Sequence, residues 1–167
     1  MVRYRHGTWG ARGWLPALKV ALVVSLLVGL DRVHAGPDAP ENGMVVIVAQ
    51  DSPVTKVSRD ELALIFKARK RYWDEGLRIQ AVNLPAGHLL RRNFSAQILG
   101  SSPEELDDYW RDMYFHGVQP PYVLASEEAV IRFVSSTPGA IGYVSSCATD
   151  HRIKVLMRME NGVPCQH

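Results

Sequence analysis

The residues able to do chemistry are few and poorly grouped for catalysis. His88, His116, His151 and His167 form no HExxH pattern and no i, i+4 pair, so the spacing offers no zinc site. No serine stands in a GxSxG elbow. Glu104, Glu105, Asp107, Asp108 and Asp112 crowd one stretch and resemble paired acid–base carboxylates only superficially. The first two suit a helix N-terminus, and the others fall off the apolar stripe, which predicts a solvated acidic face, with a docking surface as the alternative use of it. With no nucleophile beside a base, the chain reads as a non-enzyme that needs no cofactor. Asp51-Ser52 follows an apolar run and reads either as a ligand-facing loop or as a simple turn.

Cys147 and Cys165 are 18 residues apart and form no CxxC. In an oxidising compartment they are expected to pair, which would contribute roughly 3 kcal/mol on the chain-entropy view.

That compartment is indicated by the N-terminus. Arg3, Arg5, Arg12 and Lys19 precede the apolar run Val20–Leu30, and Val33-His34-Ala35 leads to Gly36. This is the three-part pattern of a cleavable secretory signal over residues 1–35, with cleavage near Ala35. The run is too short for the roughly 20 apolar residues of a spanning helix, so no permanent membrane anchor is expected. Residues 1–35 hold five of the 19 basic residues and one of the 17 acidic ones, so the remainder is slightly acidic. That balance speaks against nucleic acid as a partner. The one dense basic run, Lys67, Arg69, Lys70 and Arg71, is expected to be a solvated loop.

Residues 36–43 form a proline-broken linker, and 44–167 form one domain. Met44–Ala49 is a strand covered on both faces, as in a parallel sheet. Ser58 and Glu61 make a capping box, with Val57 stapled to Leu62. Leu62, Ile65 and Phe66 continue one face until Trp73-Asp74-Glu75-Gly76, and Trp73 is expected to plug the core edge. Ile79–Val82 is a second strand, and His88–Leu99 a helix with Leu90, Phe94 and Ile98 inward. Ser102 and Glu105 form another box before the stripe Leu106, Tyr109, Trp110, Met113 and Tyr114, expected to be core. Ser126 opens a helix burying Ala129, Val130, Phe133 and Val134. Strands follow over Ile141–Val144 and Ile153–Met159. Strands alternating with capped helices predict an α/β fold, a sheet flanked by helices.

Several segments resemble phosphate-transporter substrate-binding proteins. They are Ser58, Glu61, Leu62, Ile65 and Phe66 followed by Trp73; then Arg91, Phe94, Tyr109-Trp110, Phe115, Gly117 and Pro120-Pro121; and finally Thr137-Pro138-Gly139-Ala140-Ile141-Gly142-Tyr143-Val144. The matches run in order over about residues 44–146. The resemblance implies one lobe of a type II periplasmic binding protein, whose cleft would need its second wall from elsewhere. It implies an exported solute-binding module, in the periplasm or secreted, that holds phosphate or a similar oxyanion for an ABC transporter. The expected ligand residues are Ser52, Gly87, His88, Leu89, Arg91 and Arg92, although the turn Asn83–His88 carries no hydroxyl and no arginine. The alternative is an accessory module that kept the fold, lost the ligand and docks on a transporter or envelope protein.

Overall fold

The computed structural model describes residues 43–160. The signal-peptide and cleavage-site expectations, the linker up to Asn42, and Cys165 and His167 lie outside the described residues. β1 (Gly43–Ala49) is followed by α1 (Arg59–Phe66), β2 (Gln80–Asn83) and α2 (Leu89–Phe94), which continues as a π-helical segment, Ser95–Leu99. Then come α3 (Asp107–Phe115), β3 (Tyr122–Val123), α4 (Glu127–Ser136), β4 (Ala140–Ser145), a 3-10 turn (Ser146–Ala148) and β5 (Ile153–Glu160).

The five strands form one sheet in the order β3-β2-β4-β1-β5. β2 is parallel to β3 and to β4, while β1 is antiparallel to both β4 and β5. Four strands therefore run one way and β1 alone runs against them. The expectation of a parallel sheet is corrected at this strand. Met44–Val48 is indeed shut off on both faces, but a continuous apolar run reports covered faces and carries no information about direction.

Alternation along β4 separates the two layers packed on the sheet. Gly142 lies against α4, where an added Cβ would sit 2.7 Å from Val130 Cγ1 and 2.9 Å from Val82 Cγ2. Its neighbour Tyr143 points to the opposite face, stacked on Phe94 of α2 at 4.1 Å between ring centroids, with Phe66 of α1 4.5 Å from Phe94. Burying each such ring contributes about 1.5–3 kcal/mol, and this trio is the centre of the core on that side.

The local signals act largely as the residue types require. Ser58 Oγ accepts from the Glu61 amide at 3.1 Å, a cap worth about 1 kcal/mol. The reciprocal arm expected of Glu61 is absent, because its carboxylate is drawn to Lys70 Nζ at 2.6 Å. At Ser102 and Glu105 both arms of the box form, at 2.7 and 3.2 Å, yet they close a turn, and α3 begins only at Asp107. Leu90, Phe94 and Ile98 are buried as their spacing predicts. The helix they define changes to π geometry from Ser95 and ends at Gly100, whose φ of 68° is the left-handed conformation glycine favours.

The aromatic stripe on α3 departs from expectation. Leu106 is buried, and Tyr109 and Trp110 are half-buried, but Tyr114 is 65% exposed and the adjacent Phe115 80%. The stripe marks an apolar face correctly, but its burial fades along the helix, with Met113 still half-buried and Tyr114 exposed.

Candidate ligand-binding edge

Because β2, β3, β4 and β5 share a direction, their C-terminal ends gather at one edge of the sheet. The turn leaving β2 lies there, as do the start of α4 and the Ser145–Ala148 turn. The turn after β2 is built on a buried polar pair. Tyr143 Oη donates to Asn83 Oδ1 at 3.2 Å and accepts from the Leu84 amide at 3.3 Å. Burial pushes the Tyr143 phenol above its ordinary value, and the nearby Arg91 guanidinium only partly opposes this.

From Pro85 the chain folds back, with the His88 amide bonded to Pro85 O at 2.9 Å. His88 caps α2, its Nδ1 accepting from the Leu90 amide at 3.3 Å, which requires that nitrogen to be unprotonated. The amides of Gly87 and Leu89 take no partner among the described residues. The first turn of α2 contains no acidic side chain. The α4 start at the same edge differs: Glu127 and Glu128 occupy its first turn, and the Glu127 carboxylate accepts from the Ser145 amide. Of the two helix starts, only that of α2 is left without an anion of its own.

Gly87, His88, Leu89, Arg91 and Arg92 are thus brought together, with different roles. Arg92 is exposed, its Nε 3.5 Å from Ala86 O. Arg91 turns inward, is only 8% exposed, and leaves its Nη1 buried without a hydrogen-bond partner, as is Ser95 Oγ one turn further on. An inward guanidinium contributes positive potential from behind the turn instead of a direct grip at the surface.

Ser52 is not part of this group. β1 runs against the other strands, so the loop after it opens at the opposite edge, about 17–20 Å away for a strand of this length. There Ser52 Oγ accepts from the Val54 amide, and Lys154 Nζ donates to its carbonyl. It lines a shallow cavity of about 230 Å³ with Leu77 and Thr137–Ala140. The rule that ligands collect at strand C-termini holds for parallel strands, and β1 is the exception.

The basic run is a loop in which Arg69 and Arg71 are exposed, but part of it is tied down. Lys67 Nζ donates to Leu99 O at 3.1 Å, Arg69 lies 5.8 Å from the Tyr109 ring centroid, and Lys70 is held by Glu61 and Asp74 at 2.6 and 3.0 Å. These contacts fasten the end of α1 to its neighbours. Trp73 is 5% exposed and donates from Nε1 to Gly139 O at 3.1 Å, the core position expected. Asn83 and Tyr143 were not singled out from sequence as site residues; a lone asparagine ending an apolar strand, opposite a tyrosine on the next, is the available signal.

No family model matches the chain. It is 31% identical over 120 residues to the phosphate-binding protein PstS of Bacillus subtilis, a match covering 68% of this chain and 35% of that protein. In fold it is similar to an ABC-type phosphate transport receptor from Vibrio cholerae, with a TM-score of 0.56 at 22% identity over 69% of this chain and 45% of that one. It is also similar to PstS from Borrelia burgdorferi, with a TM-score of 0.53 at 16% identity over 75% of this chain and 49% of that one. The chain therefore spans half or less of the length of these relatives, which by name are binding proteins and transport receptors and not enzymes.

Proposed function

We propose that this chain, similar over part of its length to the phosphate-binding protein PstS of Bacillus subtilis, is an exported solute-binding module of that family that holds phosphate or a similar oxyanion reversibly, without chemistry, for an ABC transport system. The observation that carries this is the start of α2. Two unpartnered amides, Gly87 and Leu89, stand in an acid-free turn with Arg92 exposed beside them and Arg91 behind. Exposed amides and the positive end of a helix suit an oxyanion, and arginine adds charge-assisted hydrogen bonds. Ser52 has no part in this site.

Export through the signal over residues 1–35, residence in the periplasm or outside the cell, and a Cys147–Cys165 bridge belong to the same reading. No described helix is long and apolar enough to cross a membrane.

The test is thermal unfolding of the mature protein in phosphate at constant ionic strength. A ligand at 100 times its Kd adds about 2.7 kcal/mol of apparent stability. We expect a rise in Tm that Arg92→Ala diminishes. A flat response through millimolar phosphate and sulfate would leave the second reading, an accessory module docking on a transporter or envelope protein. That reading is favoured by the exposed Tyr114, Phe115, Tyr122 and Val123.

A further inference from the structure

A second site, opposite in placement to the α2 turn, lies where β2 begins. A cleft of about 400 Å³ opens there between the segment from Ala68 to Ala81 and the segment from Gly117 to Tyr122. That volume lies within the range of small-molecule pockets. Its lining combines the apolar residues Ile65, Ile79, Pro121 and Tyr122 with three cationic ones, Lys70, Arg71 and Arg78, and no acidic residue lines it.

The three cations are not equivalent. Lys70 is held by Glu61 and Asp74, so its charge is already answered. Arg71 and Arg78 form no ion pair among the described residues. They are carried on the two legs of a tight hairpin, in which the Trp73 amide bonds to Leu77 O and the Ile79 amide to Arg71 O, both at 2.9 Å, and Tyr72 pairs with Arg78. The buried Trp73, tied to Gly139 O, anchors that hairpin. Two guanidinium groups on a fixed support lose less freedom on binding than two on a loose loop.

The facing wall is also fixed. Three of the last four carbonyls of α3 are already taken: Met113 O by the His116 and Val118 amides, Tyr114 O by the Gly117 amide, and Asp112 O by His116 Nδ1. The negative end of that helix therefore offers few bare acceptors to repel an anion. Pro120 and Pro121 stiffen the chain up to Tyr122, which is 62% exposed and whose ring, 6.4 Å between centroids from Phe133, extends an aromatic surface against which an apolar body can lie.

We propose that this cleft binds a small organic anion, a phosphate ester or carboxylate with an apolar or aromatic body. Its anionic group is paired with Arg71 and Arg78, and its body lies against Ile79, Pro121 and Tyr122. The inference does not depend on oxyanion binding at the α2 turn, which lies beyond the other end of β2.

The test is titration of the isotopically labelled mature protein with phenyl phosphate, benzoate and inorganic phosphate, followed by amide shifts. We expect phenyl phosphate, benzoate or both to move Ile79, Ala81, Gly117 and Tyr122, and to bind more tightly there than inorganic phosphate. The stronger of the two identifies the anionic group. Arg71→Ala and Arg78→Ala should each weaken binding about tenfold, whereas Arg92→Ala should leave it unchanged. Shifts confined to Gly87–Leu89, binding indifferent to the Arg71→Ala/Arg78→Ala pair in a folded protein, or no binding by either organic anion at millimolar concentration would each overturn the proposal.

Discussion

The Tyr143 hydroxyl and the Asn83 side chain meet across β4 and β2 at 3.2 Å, both closed off from water. Tyr143→Phe would remove the acceptor for the Leu84 amide and the donor to Asn83 together. The expected cost is about 1–3 kcal/mol, read from urea unfolding. A double change with Asn83→Leu should cost less than the sum of the singles, because each alone strands a buried polar group. Strict additivity would show that the pair is not coupled.

Stability should fall at both ends of the pH range for identifiable reasons. The Arg152 guanidinium, within 2.6–3.0 Å of Glu128 and Asp150, holds both carboxyls below their ordinary values of 4.5 and 3.8. That contribution is present above those values and is lost as pH falls through the lower folded ones. Tyr143 acts in the opposite sense. Burial raises its phenol above 10.0, so its contribution is complete below that pH and is lost as pH rises through the raised folded value. Melts across pH should show Glu128→Gln flattening the acid limb and Tyr143→Phe flattening the alkaline one.

Two glycines with similar backbone angles should respond very differently to alanine. Gly76, at φ 80°, faces open space, and Gly76→Ala should cost only the left-handed strain of about 1–2 kcal/mol. Gly139, at φ 76°, would place its new Cβ 2.2 Å from Arg78 O and 3.0 Å from Leu77 Cγ. Gly139→Ala should lose about 3 kcal/mol or more, and Trp73 fluorescence should shift as its bond to Gly139 O is disturbed.

The basic stretch should divide by partner when scanned with alanine. Lys67→Ala removes the tie to Leu99 O, and Tyr109→Phe removes a 2.6 Å bond to Lys67 O. Each should cost about 1 kcal/mol. Arg71→Ala, which breaks no ion pair, should stay within about 0.5 kcal/mol of the parent. Equal effects at Lys67 and Arg71 would mean that the run acts through net charge.

Much of this was legible residue by residue. Ser58, Ser126 and Gly100 announced helix ends because capping is local chemistry. Leu62, Ile65, Phe66, Leu90 and Phe94 announced the core because spacing fixes which side chains share a face. Direction and neighbours were not legible. Val45 and Val46 look alike in a strand running either way, so Ser52 was grouped with Gly87 although the fold sets them at opposite edges. Tyr114 continues the stripe yet is exposed, since a helical stripe shows what a face contains, not whether anything is packed over it. Arg91 and Arg92 are expected side by side as ligand residues, and neighbouring positions on a short helix do not reveal that Arg91 turns inward while Arg92 stays exposed.

The lone reversed strand also constrains how the molecule assembles. β1 comes first among the described strands, yet it is seated between β4 and β5, the last two, roughly a hundred positions further along. Its apolar residues have no strand partner until both late strands exist, so the central ladder must close across the longest loops the domain contains. A chain built in this order should remain unfolded while it is being made and then fold in one late step governed by sequence separation. Moving β1 to the C-terminal side of β5 by circular permutation should make its pairing with β5 local and quicken that step.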